Sequence, residues 1–432
     1  MKVFLTALGC KLNQAEVDRF AEQFVDAGYA VVGEASRADL AIVHTCTVTH
    51  VADKKSRQAI RQAKRANPAA RVMVSGCYAA TAPGELAGLA EVDLVVGQRD
   101  SLRIVELAGS LGVVPEPFVD GLIPHPLPLA RARTRAFVKI QDGCNDFCAY
   151  CIIPFSRGRV SSVPVDDIVA DIQRKLARGY QEIVLTGVSI GAYGQDRGPK
   201  RATTSLPQLV GEILDRTAVQ RLRITSLEPH DFDPALIPFF RDERVCPHLH
   251  LCLQSGSDAT LKRMRRRYTT AEYAALAAAL RAANPKLTLT TDVIVGFPGE
   301  TDEEFAETYA FIERLGFADL HVFRYSPRAG TKAADFPDQV PDEVKKARSD
   351  ALITLGERLA AGARASQVGC RVRVLFESPA DLDGRPAWSG LAENYLRVIV
   401  PANQPLENQV LPINIERATA TTLVGRLAKE AA

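Results

Sequence analysis

The pattern of apolar and polar positions divides the chain into three stretches. Up to residue 100, short β-branched or apolar runs, KVFLTAL (2–8), LAIVHT (40–45) and RVMVSG (71–76), alternate with QAEVDRFAEQFVDAG and VADKKSRQAIRQAKRAN, which have helical spacing and stop at Gly or Asn-Pro. Continuous apolar strands separated by amphipathic helices predict an open parallel α/β sheet, because a parallel strand is covered on both faces. Residues 109–131 are rich in Pro and Gly and read as a linker. From 137 the alternation resumes, with strands expected at FVKI (137–140), EIVLTG (182–187), RLRITS (221–226), LHLCLQSG (249–256), LTLTTDVIVG (287–296) and DLHVFRYS (319–326). Amphipathic helices such as VDDIVADIQRKLARG and TDEEFAETYAFIERLG fall between them, the second with Thr301 and Glu304 at the spacing of a capping box. Six βα units without an evident seventh or eighth predict a partial (βα)6 barrel, open on one side. A polar helix at roughly 341–367 precedes a tail of short alternating strands, which reads as a small all-β barrel. The expected class is thus multidomain α/β: an α/β domain over 1–120, a partial barrel over 130–365 and a β-barrel over 366–432.

Composition adds few constraints to that frame. At 47% hydrophobic and 24% charged, the chain has the make-up of an ordinary globular protein. No run of about 18 apolar residues exists, so no membrane span is expected. The start, MKVFLTALGCKLNQ, lacks the apolar core and cleavage site of a secretory signal, which makes a cytoplasmic location the expectation. In a reducing compartment nine cysteines read as metal ligands, reactive thiols or packing rather than disulfides. A net charge of +2 leaves nucleic-acid binding to local basic patches.

Cysteine spacing brings in chemistry. DGCNDFCAYCIIP (142–154) sets Cys144, Cys148 and Cys151 in a C-x3-C-x2-C run after the first barrel strand, at the end where barrel active sites lie. Three thiolates hold three irons of a 4Fe–4S cluster and leave the fourth free to chelate a small ligand. A zinc knuckle completed by a distant ligand such as His125 is the alternative. Cys10, Cys46 and Cys77 each stand at or just past the end of an expected strand, where a parallel sheet places its binding crevice. Three remote cysteines can meet there, although each taken singly could be a buried small side chain. Cys246, Cys252 and Cys370 stand alone in apolar or strand contexts and read as packing. The histidines lack ligand spacing, and none is assigned to metal.

GCNDFCAYCIIPFSRG resembles the signature of the radical S-adenosylmethionine superfamily, with Tyr150 similar to the aromatic residue near the adenine. LTGVSIGAYG (185–194), with Thr186 and Gly187, resembles the segment that meets the methionine amino group. SLEPH (Ser226, Glu228), LQSGSD (Gln254) and DVIVGFPGET (Asp292) resemble further segments that line the cofactor pocket. TALGCKLNQAEVDRF, VHTCTVTHVADKKSRQ and VSGCYA resemble the N-terminal domain of the methylthiotransferases, where three cysteines hold a second cluster. GLAENYLRVIV and LVGRL resemble the TRAM module of the tRNA-modifying members. The resemblance implies two 4Fe–4S clusters and S-adenosylmethionine. The cluster on Cys144, Cys148 and Cys151 would give an electron that releases a 5′-deoxyadenosyl radical, and that on Cys10, Cys46 and Cys77 a sulfur that becomes the methylthio group. Cofactors rather than side chains supply such reactivity at an unactivated C–H bond.

LGCKLNQ is most similar to the branch acting on N6-threonylcarbamoyladenosine at position 37 of tRNA, next to the anticodon. The alternatives are the isopentenyladenosine branch and, in another class, a non-catalytic RNA-binding protein with structural metal sites. Implied partners are tRNA, an electron donor such as flavodoxin or ferredoxin, and a sulfur source. No long apolar stripe is evident, so a monomer is expected. Candidate RNA contacts are Arg157 and Arg159 beside the cysteine loop and the basic run Lys262, Arg263, Arg265, Arg266 and Arg267, which reads equally as a solvated face.

Overall fold

The computed structural model describes residues 1–115, 134–197 and 204–428. The greater part of the expected linker, and His125 with it, lies outside the described residues. Five parallel strands, β1 (Lys2–Ala7), β2 (Ala30–Val32), β3 (Leu40–Thr45), β4 (Arg71–Gly76) and β5 (Leu94–Val95), form a sheet in the order β2-β1-β3-β4-β5. Side chains alternate across a strand, and both faces of β3 are covered. Leu40 and Ile42 pack with Val17, Phe20 and Phe24 of helix Lys11–Asp26. Ala41 and Val43 pack with Ile60 and Ala63 of helix His50–Ala66 on the other side. The edge strands β2 and β5 are too short to show a period, and the sequence did not announce them.

The second unit has β6 (Arg135–Lys139), a short antiparallel pair β7 (Gln141–Asp142) and β8 (Ser161–Ser162), then β9 (Glu182–Thr186), β10 (Leu222–Ile224), β11 (His248–His250), β12 (Thr288–Val295) and β13 (Asp319–Arg324). Parallel ladders β6-β9-β10 and β11-β12-β13 are joined by bridges Leu222–Val245 and Leu227–Leu251, which completes the six-stranded partial barrel. Thr301 caps helix Asp302–Leu315 in the expected box with Glu304. The main core lies outside the barrel, where Leu222, Ile224, Leu249, Leu251, Leu289 and Val293 meet the helices. Alternation therefore turns Arg223, His248, His250, Thr290 and Asp292 inward. The open side is met by helix Lys11–Asp26, whose Ala15 packs with Phe137 and Val184.

The third unit is a closed barrel of β14 (Arg371–Leu382), β15 (Arg385–Ala392), β16 (Arg397–Pro401), β17 (Val410–Ala418) and β18 (Leu423–Leu427), in the order β14-β15-β16-β18-β17. It docks through a buried joint. Glu182 accepts from Arg221 at 2.8 Å and Arg223 at 2.7 Å, and the same guanidiniums donate to the carbonyls of Arg373 and Glu393. Among the described residues no helix is long and apolar enough to cross a membrane.

Candidate active site at two cysteine trios

Cys10 ends the β1 turn and precedes helix Lys11–Asp26, Cys46 follows β3, and Cys77 opens the short helix Cys77–Thr81 after β4. Since β1, β3 and β4 are neighbours, the three thiols come from adjacent strand ends. Gly9 permits the approach: its φ is +92°, and a Cβ there would lie 2.7 Å from Cys46 Sγ. Asn13 fastens the strand ends, its Nδ2 donating to the carbonyls of Leu8 at 2.7 Å and Thr45 at 3.1 Å. Burial pushes the Cys46 thiol up to about 11, and the charges of Cys77 and Cys10 add to the rise.

The second trio rides on the loop after β7. Gly143, at φ +68°, is required because a Cβ there would collide with the Arg159 carbonyl. The Cys144 N–H donates to Gly158 O at 3.1 Å, and the Cys151 N–H to Cys148 O at 3.0 Å. Ala149, between the last two thiols, pairs its N–H with Met264 O at 3.0 Å and its carbonyl with the Ala333 N–H at 2.8 Å. Burial pushes Cys144 and Cys151 up to about 12, with Cys148 contributing to both. Cys46 and Cys77 are buried, Cys10 is exposed and the second trio is half-buried; each trio offers three sulfurs, which a metal must deprotonate on binding, the donor set of a 4Fe–4S cluster with one open iron.

One side chain from the segment that follows the second trio reaches the first. Arg157, whose side chain is 1% exposed, donates from Nε to Cys77 Sγ at 3.2 Å. Its Nη2 donates to Asn13 Oδ1 at 2.6 Å and Glu16 Oε2 at 2.9 Å, and its Nη1 to Asp142 Oδ1 at 3.1 Å. Burial alone would raise Glu16, yet Arg157, His44 and Lys139 together hold its carboxyl well below the usual range. On the barrel side Arg266, also 1% exposed, donates from Nη1 to Cys148 Sγ at 3.3 Å and pairs with Glu228. A second tie lies near Cys46: Arg328 reaches Asp53 and Thr47, each at 2.6 Å.

These contacts correct two expectations about RNA. Arg157 and Arg266 are withdrawn from the surface, each beside a cysteine sulfur, and Arg263 is committed to Glu304 at 2.9 Å. The basic run leaves a short helix and turns at Arg265, φ +61°, so neighbouring side chains point in opposite directions. Lys262, Arg265, Arg267 and Arg159 remain exposed. Cys370, expected as packing, is exposed, whereas Cys246 and Cys252 are buried.

The remaining site residues lie along the barrel mouth and interior. Tyr150 is edge-on to Phe297 with centroids 6.4 Å apart. Thr186 ends β9 and Gly187 follows it, and Gln141 Oε1 holds the loop beyond them by accepting from the N–H groups of Val188 at 3.0 Å and Ser189 at 2.9 Å. Ser226 and Glu228 follow β10. Gln254, in the left-handed region at φ +65°, donates its N–H to the Asp292 carbonyl at 2.9 Å. Asp292 lies between His250 at 3.3 Å and His321 at 3.0 Å. Sequence reading missed Asn13, Glu16, Gln141, Asp142, His250, His321 and Arg328. Asn13 and Asp142 stand within three residues of a cysteine and could have been found, but Glu16 and Arg328 carry no local signal.

The partial barrel with its cysteine loop defines a radical S-adenosylmethionine protein, and the model of the radical SAM superfamily matches residues 138–312. A family described as uncharacterized, UPF0004, matches residues 2–97. In solved structures the fold is similar to the radical S-adenosylmethionine methyltransferase TsrM from Kitasatospora setae, with TM-score 0.56 and 16% identity over 76% of each chain. The chain belongs to the tRNA methylthiotransferase family of radical S-adenosylmethionine enzymes. It is 38% identical to threonylcarbamoyladenosine tRNA methylthiotransferase MtaB of Bacillus subtilis, over 95% of this chain and 93% of the relative. It is 35% identical to tRNA-2-methylthio-N(6)-dimethylallyladenosine synthase of Anaeromyxobacter dehalogenans, over 99% and 94%.

Proposed function

We propose that this enzyme converts N6-threonylcarbamoyladenosine at position 37 of tRNA to its 2-methylthio derivative. The observation that carries the reading is Arg157, which follows the Cys144–Cys151 loop in sequence and yet donates to Cys77 at 3.2 Å. This contact supports two sets of three thiols bordering one space, as a reaction needing two cofactors at one carbon requires. The choice of substituent is supported by the relatives named for threonylcarbamoyladenosine, at 34–38% identity, against 32–35% for those named for dimethylallyladenosine.

Cys144, Cys148 and Cys151 would hold one 4Fe–4S cluster, and Cys10, Cys46 and Cys77 the other. Bound there with S-adenosylmethionine, these groups supply a carbon-centred radical and a methylated sulfur, with an electron delivered from an outside donor. The chain orients and shields them. Met264, Phe297, Tyr325 and Ala149 pack into an apolar wall beside Tyr150 that excludes water from the cofactor. Glu228, Gln254, Asp292, Ser226, Thr186 and Gly187 are the proposed contacts to S-adenosylmethionine. Arg266 places a fixed cation beside Cys148, and Arg157 does the same beside Cys77, favouring the thiolate form each metal needs. The C-terminal barrel, read as a TRAM module, and the exposed Lys262, Arg265, Arg267 and Arg159 would hold the RNA backbone.

Mass spectrometry of tRNA nucleosides from a deletion strain tests the substrate: 2-methylthio-threonylcarbamoyladenosine should vanish. Loss of the isopentenyl product instead would overturn the choice. Cys148→Ala should abolish cleavage of S-adenosylmethionine, whereas Cys77→Ala should leave cleavage without a methylthio product. Full thiolation by Cys77→Ala would refute the division of labour.

A further inference from the structure

The half-barrel turns a charged face inward, and nearly all of its charges are paired. Arg135 binds Glu377 at 2.9 Å, Arg223 binds Glu182 at 2.7 Å, and Lys139 binds Glu16 at 2.7 Å. Asp292 is held by His250 and His321. Lys11 is different. It directly follows Cys10, and its Nζ lies 5.4 Å from the centroid of the Tyr395 ring. Among the described residues it has no carboxylate partner. Its charge is felt at His248, His321 and the Tyr395 hydroxyl, so it belongs with the interior groups.

Tyr395 is itself a fixed surface. The β15–β16 turn presents it at φ +72°, stacked on His248 with centroids 4.3 Å apart, and the Arg223 guanidinium lies 4.9 Å from its centroid. The ring, already covered by His248 and Arg223, fixes the place of an ammonium that has no carboxylate among the described residues, and such an ammonium, one residue from a cysteine of the first trio, is a receptor for an anionic group. A threonylcarbamoyl substituent ends in such a group, a carboxylate. An isopentenyl group has none, and would leave the ammonium desolvated without a partner, the kind of penalty that gives specificity.

We propose that Lys11 is a specificity-determining residue whose ammonium, positioned by the Tyr395 ring, receives the carboxylate of the N6-threonylcarbamoyl substituent. This rests on the threonylcarbamoyl reading above. No bond is made or broken in the contact: the amine stays protonated and the acid stays ionised.

The test uses reconstituted holoenzyme and two anticodon stem–loop RNAs, one carrying threonylcarbamoyladenosine and one whose threonyl carboxylate is converted to a neutral carboxamide. The wild type should lose roughly 10- to 100-fold in kcat/KM on the carboxamide, the scale of one charge-assisted hydrogen bond. Lys11→Met should lose a similar factor on the acid RNA and little more on the carboxamide, so that the two losses fail to multiply. Lys11→Arg should recover part of the loss. Iron content and the cluster absorption spectrum, measured for each variant, separate lost recognition from a lost cluster beside Cys10. The proposal is overturned if the wild type uses acid and carboxamide equally well, a result that needs no variant. It is also overturned if Lys11→Met, at full iron content, loses equally on both RNAs. Activity on an isopentenyladenosine stem–loop with none on either threonylcarbamoyl RNA would sink the substrate reading itself, an outcome distinct from both.

Discussion

A guanidinium offers five N–H donors in a rigid planar fork, and Arg157 directs that fork at Cys77, Asn13, Glu16 and Asp142 at once. Its charge is far from water and is balanced by two carboxylates, so removing it takes a partner from each and leaves Lys139 to hold both, with His44 on Glu16. Arg157→Met should therefore cost about 1–3 kcal/mol of folding stability. It should also weaken metal retention at the first trio, taking iron from about eight per chain toward about four. Arg157→Lys should restore neither fully, since one ammonium cannot reach sulfur, amide and two acids together. A thermal midpoint and iron content unchanged in both variants would show that the network is dispensable.

At the scale of elements, the lower end of the half-barrel and the third unit share one carboxylate. Burial would raise Glu182, but Arg223 and Arg221 hold it down at about 2, against an ordinary value of 4.5. A depressed carboxyl stabilises the fold fully above its unfolded value, and that contribution is lost as pH falls from 4.5 toward 2. Glu182→Gln should accordingly lower the thermal midpoint at pH 7, and the gap from the wild type should close as pH falls through that window. A gap that stayed constant with pH would mean the carboxylate charge is not what joins the units.

For the whole molecule, a net charge of +2 means that affinity for tRNA must come from where the cations lie rather than from their sum. Burial removes Arg157 and Arg266 from the available set and leaves Lys262 and Arg265 exposed together. If both contact phosphates, the double variant to Gln should lower the slope of log affinity against log salt by about 1 to 2, uniformly across tRNA sequences. An unchanged slope would assign these residues to a solvated face. Domain closure is also a property of this scale: Arg157 and Arg328 bind the first unit to the second beside Cys77 and Cys46, so the shared space exists only while both units are docked.

Local pattern determined a good deal by itself. The apolar run LAIVHT declared a strand covered on both sides, Thr301 and Glu304 declared a helix start, and C-x3-C-x2-C pointed to the superfamily whose model matches residues 138–312. In each case the physical cause lies within a few residues of the signal, whether side-chain alternation, a cap or ligand spacing. The strand-end positions of Cys10, Cys46 and Cys77 likewise foretold a meeting point, because parallel sheets gather such ends at one edge. What the sequence could not show was which charges are buried. Arg157 and Arg266 look like surface cations in a string of letters, and Glu16 and Arg328 look like nothing at all. Their partners stand many residues away, and only packing brings them within hydrogen-bond reach. The same holds for Lys11 and Tyr395, drawn from the first and third units to within 5.4 Å of each other. Periodicity is a short-range property and was legible; charge pairing across units is long-range, and only the tertiary structure decided it.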